Sequence, residues 1–215
     1  MIKKLGGYVL FCLFTGISIA NASPFQNGDF STGDFTGWMG QLDNGISVQT
    51  VDPDTSSYFT IVDHDNKAEI SLDDTYWQNT LYQNFQLDSL PPGWTMDMNF
   101  WIKWSPTSNM DDGISVTLSD LTGDNQVDLI ADISNSALLN GISVTKDITP
   151  FAQTFGGQNV GLAFSIGDYD LNSSDTLKID DIAFNKNPAP VPVPGTLLLL
   201  GSGLAGLGVW GRRKR

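Results

Sequence analysis

Short segments rich in Val, Ile, Thr, Phe and Tyr alternate with clusters of Gly, Asn, Asp and Pro throughout residues 23–186. This alternation constrains the fold strongly, because such segments favour strands and such clusters favour tight turns. Strands are predicted at 45–51, 57–62, 67–72, 80–87, 94–104, 113–119, 126–133, 142–148, 159–166 and 175–184. With about ten short strands, no internal repeat and little helical periodicity, the segment is predicted to be an all-β, two-sheet jelly-roll sandwich.

Alternation along two of these segments separates a core face from an outer face. In 94–104, one face carries Met96, Met98, Phe100, Ile102 and Trp104, and the other carries Thr95, Asp97, Asn99, Trp101 and Lys103. In 80–87, one face carries Leu81, Gln83, Phe85 and Leu87, and the other carries Thr80, Tyr82, Asn84 and Gln86. The outer faces are therefore polar except for two aromatic side chains, Tyr82 and Trp101.

These two aromatic side chains lead to a glycan-binding hypothesis, because pyranose rings stack on aromatic faces while amides and carboxylates bond their hydroxyl groups. If segments 80–87 and 94–104 pair, one surface would contain Tyr82, Trp101, Asp97, Asn99 and Gln86. Tyr76 and Trp77, in the loop before 80–87, would extend it. In the alternative, Tyr82 and Trp101 are covered by the chain's own loops or by a second layer.

The first 22 residues are predicted to be a secretory signal peptide. Lys3 and Lys4 precede an apolar stretch from Tyr8 to Ala20, and Ala20-Asn21-Ala22 supplies the small residues that signal peptidase requires. Cleavage is expected after Ala22. The alternative is an N-terminal membrane anchor, which the short apolar stretch disfavours.

Residues 187–215 form a three-part tail. A proline-rich spacer is followed by an uncharged run, 196–211, and then by a basic cluster, Arg212, Arg213, Lys214 and Arg215. Proline cannot join a helix interior, and a basic stop keeps the end of an apolar helix on the cytoplasmic side of a membrane. The run is shorter than the roughly 20 residues of a full span and is rich in glycine, so it suits temporary membrane retention.

This tail resembles the PEP-CTERM sorting signal. The resemblance rests on Val191, Pro192, Val193, Pro194 and Gly195, on the glycine-rich run and on the basic cluster; Val193 stands where the family usually has Glu. The resemblance implies export, transient residence in the inner membrane and processing by an exosortase-type enzyme. Release or transfer to the cell surface or to an extracellular polymer would follow. An ordinary membrane anchor is the alternative.

Charge and cysteine usage agree with export. The only cysteine, Cys12, lies in the predicted signal, so the processed chain would contain neither a thiol nor a disulfide. Residues 23–186 contain five lysines and all 24 acidic residues, which gives a formal charge of −19. A surface this acidic argues against nucleic acid as a partner.

The body also resembles the carbohydrate-binding-like jelly rolls of the galactose-binding superfamily. The matching segments run from Asn27 to Trp38, from Leu81 to Trp101 and from Leu177 to Phe184. The resemblance implies that the opening segment lies beside the closing strand, with Trp38 in the core. It also implies a structural calcium site, for which Asp29 and one of Asp180 and Asp181 are the candidate ligands. Simple alternation would place Asp181 on the same side as Ile179 and Ala183. In the alternative, Asp29 forms a turn and the Asp pair is a charged strand edge.

Catalysis has little support in the sequence. His64, the only histidine, lies within a turn-forming Asp-His-Asp-Asn segment, and no G-x-S-x-G elbow accompanies it. A non-enzyme is therefore expected. The first functional hypothesis is a protein of the cell surface or extracellular matrix that is associated with exopolysaccharide. The second is a carbohydrate-binding module that recognises one specific glycan.

Overall fold

The computed structural model describes residues 24–62, 66–107, 113–167 and 174–189. They form two antiparallel sheets that pack face to face, as predicted. Sheet A has the strand order β2 (Val48–Val51), β1 (Met39–Asp43), β5 (Gln78–Gln86), β10 (Asn159–Gly167), β7 (Gly113–Asp120) and β8 (Gln126–Asp128). Sheet B has the order β3 (Phe59–Val62), β4 (Lys67–Leu72), β11 (Asp175–Asn187), β6 (Thr95–Ser105) and β9 (Ile142–Asp147). The jelly-roll sandwich is therefore confirmed.

Strand β1 was not predicted, because its sequence Met-Gly-Gln-Leu-Asp has little β-propensity. Tertiary packing explains Gly40, since a Cβ there would lie 2.6 Å from the ring of Phe59. The predicted strand 126–133 ends early, at Asp128, where the Asp128 carboxylate accepts a hydrogen bond from the backbone of Ile130. The last strand is longer than predicted and continues to Asn187.

Two short helices were also not predicted, α1 (Asn135–Asn140) and α2 (Thr149–Phe155). Each is followed by a glycine, and α2 has Pro150 in its first turn. These are ordinary helix-boundary signals, but segments of six and seven residues are too short for periodicity to reveal.

The core lies between the inner faces of the sheets. The residues predicted for the core face of β6 are all buried, namely Met96, Met98, Phe100, Ile102 and Trp104. Trp38 is also buried, with its ring centroid 5.5 Å from that of Phe30 and 6.2 Å from that of Phe164. Its indole N–H donates to the carbonyl of Asn27 at 3.1 Å, so the predicted core role of Trp38 is confirmed.

The described chain begins and ends at the same end of the sandwich. Phe25 packs edge-on against Phe184 with ring centroids 5.1 Å apart, beside a cavity of about 200 Å³. Ala189 lies against Gly93 in the loop between β5 and β6. Trp77 lies at the opposite end, because β5 starts there and its nine residues span about 30 Å.

Candidate functional site

The two outer faces of the sandwich differ in chemistry. On sheet B, outward positions carry charged side chains, which include Lys67, Glu69, Asp97, Lys103, Lys178 and Asp180. On sheet A, the outward positions of β5, β10 and β7 are uncharged: Gln78, Thr80, Tyr82, Asn84, Gln86, Gly161, Ala163, Ser165, Gly167, Gly113, Ser115, Thr117 and Ser119. We call this second set the polar face. Carboxylates flank it on the neighbouring strands, Asp43 on β1 and Asp128 on β8.

Small residues form the middle of the polar face. Outward positions on the central strand β10 are Gly161, Ala163, Ser165 and Gly167, between the larger side chains of β5 and the small or hydroxyl-bearing residues of β7. In register, Ala163 lies between Tyr82 and Thr117, and Ser165 lies between Thr80 and Ser115. The floor is buried while Gln86 and Gln126 at the periphery are exposed. The middle of the polar face, along β10, is therefore buried, and its edges are open.

Hydroxyl and amide groups on this floor bond to one another. Thr80 Oγ1 lies 2.8 Å from Ser165 Oγ, and the amide of Gln78 donates to Thr80 Oγ1 at 3.0 Å. All three side chains are buried. The network fixes the side-chain orientations of two neighbouring strands, so the hydrogen-bonding groups of the floor are held in place before any ligand arrives.

Tyr82 occupies the middle of the polar face, opposite Met39 of β1 and Ala163 of β10. It is only 7% exposed, so the alternative in which this ring is covered holds for Tyr82. Gln86, at the end of β5, is exposed, and its amide donates to the carbonyl of Gly157 at 2.9 Å. The polar face thus contains two of the predicted glycan-binding residues, one buried and one open.

Trp77 is the exposed aromatic side chain nearest to this face. It directly precedes Gln78, is 49% exposed, and its ring packs against Gly45 in the β1–β2 turn. Its backbone N–H donates to the carbonyl of Asp43 at 2.7 Å, which continues the β1–β5 ladder. The neighbouring Tyr76 instead packs edge-on against Tyr58, with ring centroids 5.1 Å apart. Trp77 therefore stands at one end of the polar face.

The pairing of segments 80–87 and 94–104, on which the hypothetical shared surface depended, does not occur. Strand β5 belongs to sheet A and β6 belongs to sheet B, so Asp97, Asn99 and Trp101 lie on the opposite outer face from Tyr82 and Gln86. The loop between β5 and β6 crosses from one sheet to the other, so the two strands do not form a hairpin. Trp101 is half-buried there, packed on Gly141 with the Lys67 ammonium 5.2 Å from its ring centroid.

The opening segment lies beside the closing strand, as the family resemblance implied. Ile182 donates its backbone N–H to the carbonyl of Gly28 at 2.9 Å, and a Cβ on Gly28 would lie 2.1 Å from the Ile182 carbonyl oxygen. A β-bulge in β11 follows Asp180, and Asp181 has a φ of 52°. The bulge breaks the alternation, so the expectation that Asp181 shares a face with Ile179 and Ala183 is wrong. Asp181 is exposed, whereas Ile179 is buried.

Asp29 and Asp180 have opposite electrostatic environments. The backbone N–H and the hydroxyl of Ser31 donate to the Asp29 carboxylate at 3.2 and 2.9 Å and lower its pKa. Asp180 is 9% exposed, and burial raises its pKa. Its Oδ1 accepts the backbone N–H of Asp181 at 2.8 Å, which opposes the rise in its pKa, while the carboxylates of Asp181 and Asp29 add to that rise. A nearby cation would therefore favour the ionised form of Asp180.

These residues supply part of what a calcium ion needs, which is six to eight oxygen ligands. Within the part of the chain that the structure describes, no group of three or more His, Cys, Asp or Glu side chains is arranged to hold a metal. Backbone carbonyls would have to complete the shell, and calcium at Asp29 and Asp180 or Asp181 stays a prediction. His64 lies outside the described residues.

The hydroxyl residues of the polar face, Thr80, Ser115, Thr117 and Ser165, were not predicted as functional. For Ser165, a signal exists in the sequence of β10. Small or polar residues alternate there with large apolar ones: Gly161, Ala163, Ser165 and Gly167 with Val160, Leu162, Phe164 and Ile166. This alternation predicts a strand whose outward side chains are all small.

The C-terminal residues match a known sorting signal. Residues 190–215 match the family model of the PEP-CTERM protein-sorting motif, which confirms the resemblance identified in the tail and indicates an exported protein. These residues and the predicted signal peptide lie outside the described part of the structure. Among the helices that it describes, none combines the length and the apolar character needed to cross a membrane.

Several solved structures are similar to this chain. TmCBM61, solved in complex with β-1,4-galactotriose, has a TM-score of 0.49 and 16% identity over 77% of this chain and 99% of its own. The N-terminal cellulose-binding domain of Cellulomonas fimi β-1,4-glucanase C has a TM-score of 0.41 and 16% identity over 80% and 100%. Alginate lyase A1-II′ has a TM-score of 0.40 and 14% identity over 74% and 99%.

The neighbours thus include an enzyme as well as carbohydrate-binding modules, all at low identity. Comparison with curated proteins finds no match.

Proposed function

We propose that this chain is an exported, non-catalytic protein that binds a glycan across the polar face of sheet A. The observation that carries the proposal is the contrast between the two outer faces of one sandwich. Sheet B has the mixed charges of an ordinary solvated surface, whereas the polar face has hydroxyl and amide groups at the same kind of position.

Hydroxyl and amide side chains suit a sugar ligand. Each glycan hydroxyl both donates and accepts, and so do Thr, Ser, Asn and Gln side chains. The floor network of Gln78, Thr80 and Ser165 is already ordered, so binding would cost little side-chain entropy there. The row of small residues along β10 gives an extended chain of sugars a direction to follow.

Trp77 supplies the apolar contact of such a site. Its exposed ring stands where β5 begins, beside Gln78, and is supported from behind by Gly45. A pyranose ring stacked on Trp77 would lie at the end of β5, next to Gln78, the first residue of the polar face. Trp101, on sheet B, has Lys67 near its ring and charged neighbours, which is a poorer surface for an uncharged sugar ring.

The sorting motif indicates where the protein would act. An exosortase-type enzyme would process the tail that contains Val191–Gly195 and Arg212–Arg215, after transient retention in the inner membrane. The cell surface or extracellular matrix would be the destination, and exopolysaccharide the most abundant glycan available there. A mass spectrum of the exported protein tests this step: a mass short of both the first 22 residues and the tail supports it, and a retained tail indicates a plain membrane anchor.

Glycan binding is tested with the purified full chain on a glycan array, with Trp77→Ala and Trp101→Ala as a matched pair. The proposal predicts that Trp77→Ala weakens binding about tenfold, equivalent to about 1.4 kcal/mol, while Trp101→Ala changes it less than about twofold. Thr117→Val on the polar face and Thr145→Val on β9 of sheet B form a second pair, and only the first is expected to weaken binding.

Two results would count against the proposal. Loss of binding in Trp101→Ala alone would place the glycan on sheet B. Failure of the unmodified chain to bind any glycan, including the extracellular polymer of its own cells, would favour a structural surface protein without a glycan ligand.

A further inference from the structure

The five lysines of the body all lie on one sheet. They are Lys67 on β4, Lys103 on β6, Lys146 on β9, and Lys178 and Lys186 on β11. Every one of these strands belongs to sheet B. The six strands of sheet A contain neither lysine nor arginine nor histidine.

The lysines of sheet B are also too far from the polar face to attract an anion bound there. Lys67, Lys103 and Lys178 point outward from sheet B, on the far side of a core that is about 10 Å thick between sheets. Lys178 pairs with Glu69 at 2.9 Å. Lys146 and Lys186 are held by loop carboxylates, Asp132 at 2.5 Å and Asp88 at 2.8 Å. Screening at physiological salt acts over about 8 Å, so little positive potential reaches the polar face.

The ionised groups flanking the polar face are negative. Asp43 lies across from Gln78 on one side, and Asp128 lies across from Thr117 on the other. A ligand carboxylate, sulfate or phosphate placed on β10 would therefore find no cation on sheet A, and the two flanking carboxylates lie two strands away, about 10 Å from β10. Binding would also strip water from the anionic group. The hydroxyl and amide groups that replace this water bond an anion less strongly than a lysine or arginine side chain would.

Building on the proposed glycan function, we infer that the polar face selects glycans without anionic groups and rejects uronate-, sulfate- or phosphate-bearing chains. Selection would come mainly from the absence of a countercharge on sheet A, with a weaker, screened repulsion from Asp43 and Asp128. The glycan ligand would then be a neutral component of the extracellular polymer, even where the bulk of that polymer is acidic.

The test uses glycan pairs that share a backbone and differ only in charge. Suitable pairs are a β-1,4-glucan with its C6-carboxylated derivative, and fully methyl-esterified polygalacturonate with the free acid. For whichever pair the full chain binds, the neutral member is expected to bind at least about tenfold more tightly in 0.15 M salt, and its affinity should change little with salt. Equal or tighter binding of the acidic member would overturn the inference and leave glycan binding intact.

A pair of variants, each with one added positive charge, tests where this selectivity arises. Ser115→Lys adds a cation beside Ser165 on the polar face, and Thr145→Lys adds the same charge on sheet B. The inference predicts that Ser115→Lys narrows the preference for the neutral member severalfold and makes acidic binding salt-dependent, while Thr145→Lys does neither. Equal effects of the two variants would mean that net charge, and not the polar face, sets the preference. Failure to bind either member of any pair tested, or any other glycan, would count against the proposed function itself.

Discussion

Thr80 Oγ1 and Ser165 Oγ lie 2.8 Å apart on neighbouring strands of sheet A, and both side chains are buried on the face that points away from the core. Buried hydroxyl groups need partners, because an unsatisfied one costs about 1–3 kcal/mol. This pair therefore stabilises the fold as well as the geometry of the polar face.

We expect Ser165→Ala and Thr80→Val each to lower the free energy of unfolding by about 1–2 kcal/mol, because Ser165→Ala leaves the Thr80 hydroxyl with the Gln78 amide alone, and Thr80→Val removes the partner of both Ser165 Oγ and that amide. The double variant should cost less than the sum of the singles, since it removes both polar groups. Urea denaturation of the four proteins measures this coupling. Thr117→Val, half-buried on the same face, is the control and should change stability by less than about 0.5 kcal/mol. Strict additivity would show that the hydroxyl pair contributes nothing of its own.

The contact between the opening segment and β11 predicts a large effect of Gly28→Ala. The added Cβ would lie 2.1 Å from the Ile182 carbonyl oxygen and 2.7 Å from the Phe25 ring, so the backbone hydrogen bond between the two segments would have to break. We expect a loss of about 3 kcal/mol or more, measured by thermal or chemical denaturation. Gly113→Ala is the matched control, because nothing lies within 4 Å of a Cβ there. Similar losses in the two variants would contradict the described packing.

The raised pKa of Asp180 predicts a pH dependence of stability. Its pKa is above the ordinary value of 3.8, so the folded chain binds the proton more tightly than the unfolded chain does. The stabilisation by protonated Asp180 is therefore complete below the unfolded pKa and is lost as pH rises through the higher, folded pKa. Asp180→Asn keeps an acceptor for the Asp181 N–H but does not ionise.

In the absence of divalent cations, Asp180→Asn should thus be more stable than the parent chain at neutral pH, and this advantage should shrink as the pH is lowered toward 3.8. Denaturation curves at several pH values, with EDTA, measure the difference. If Asp180→Asn is less stable than the parent by the same amount at pH 7 and at pH 4, the ionised carboxylate does not destabilise the fold. That result would contradict the raised pKa of Asp180.

Calcium should reverse that comparison if the predicted site exists. Calcium that binds the folded chain alone raises its melting temperature, and at 100 times the dissociation constant the gain is about 2.7 kcal/mol. Asp180→Asn, Asp181→Ala and Asp29→Asn should each reduce the calcium-induced rise, whereas Asp124→Asn in the exposed β7–β8 turn should keep it. If calcium does not raise the melting temperature of the parent chain, the predicted calcium site is wrong.

Periodicity along the sequence predicted most of the fold because the strands of both sheets bury one side against a single core. Met96 through Trp104 alternate without interruption, and β4 was predicted with its observed bounds. Strand β1 escaped prediction because Gly40 is required by the ring of Phe59, a contact between residues 19 positions apart that no local pattern records.

The candidate site was harder to predict than the fold. Residues Tyr82 and Trp101 share the same local pattern, and only the crossing of the β5–β6 loop between sheets places them on opposite faces. The bulge at Asp181 likewise depends on its left-handed backbone and on contact with Gly28, so strand alternation alone assigned the wrong face. By contrast, the absence of basic residues from sheet A can be read from the sequence once strand membership is known.

Ala189 lies beside Gly93, at the end of the sandwich opposite Trp77. Residues 190–215, which carry the sorting motif, continue from that end. In a molecule tethered through them, the exposed indole of Trp77 would lie at the end of the sandwich away from Ala189, about 30 Å along β5. The polar face runs along β10 between these two ends, so long polymer strands could meet it from the surrounding medium without passing beneath the protein.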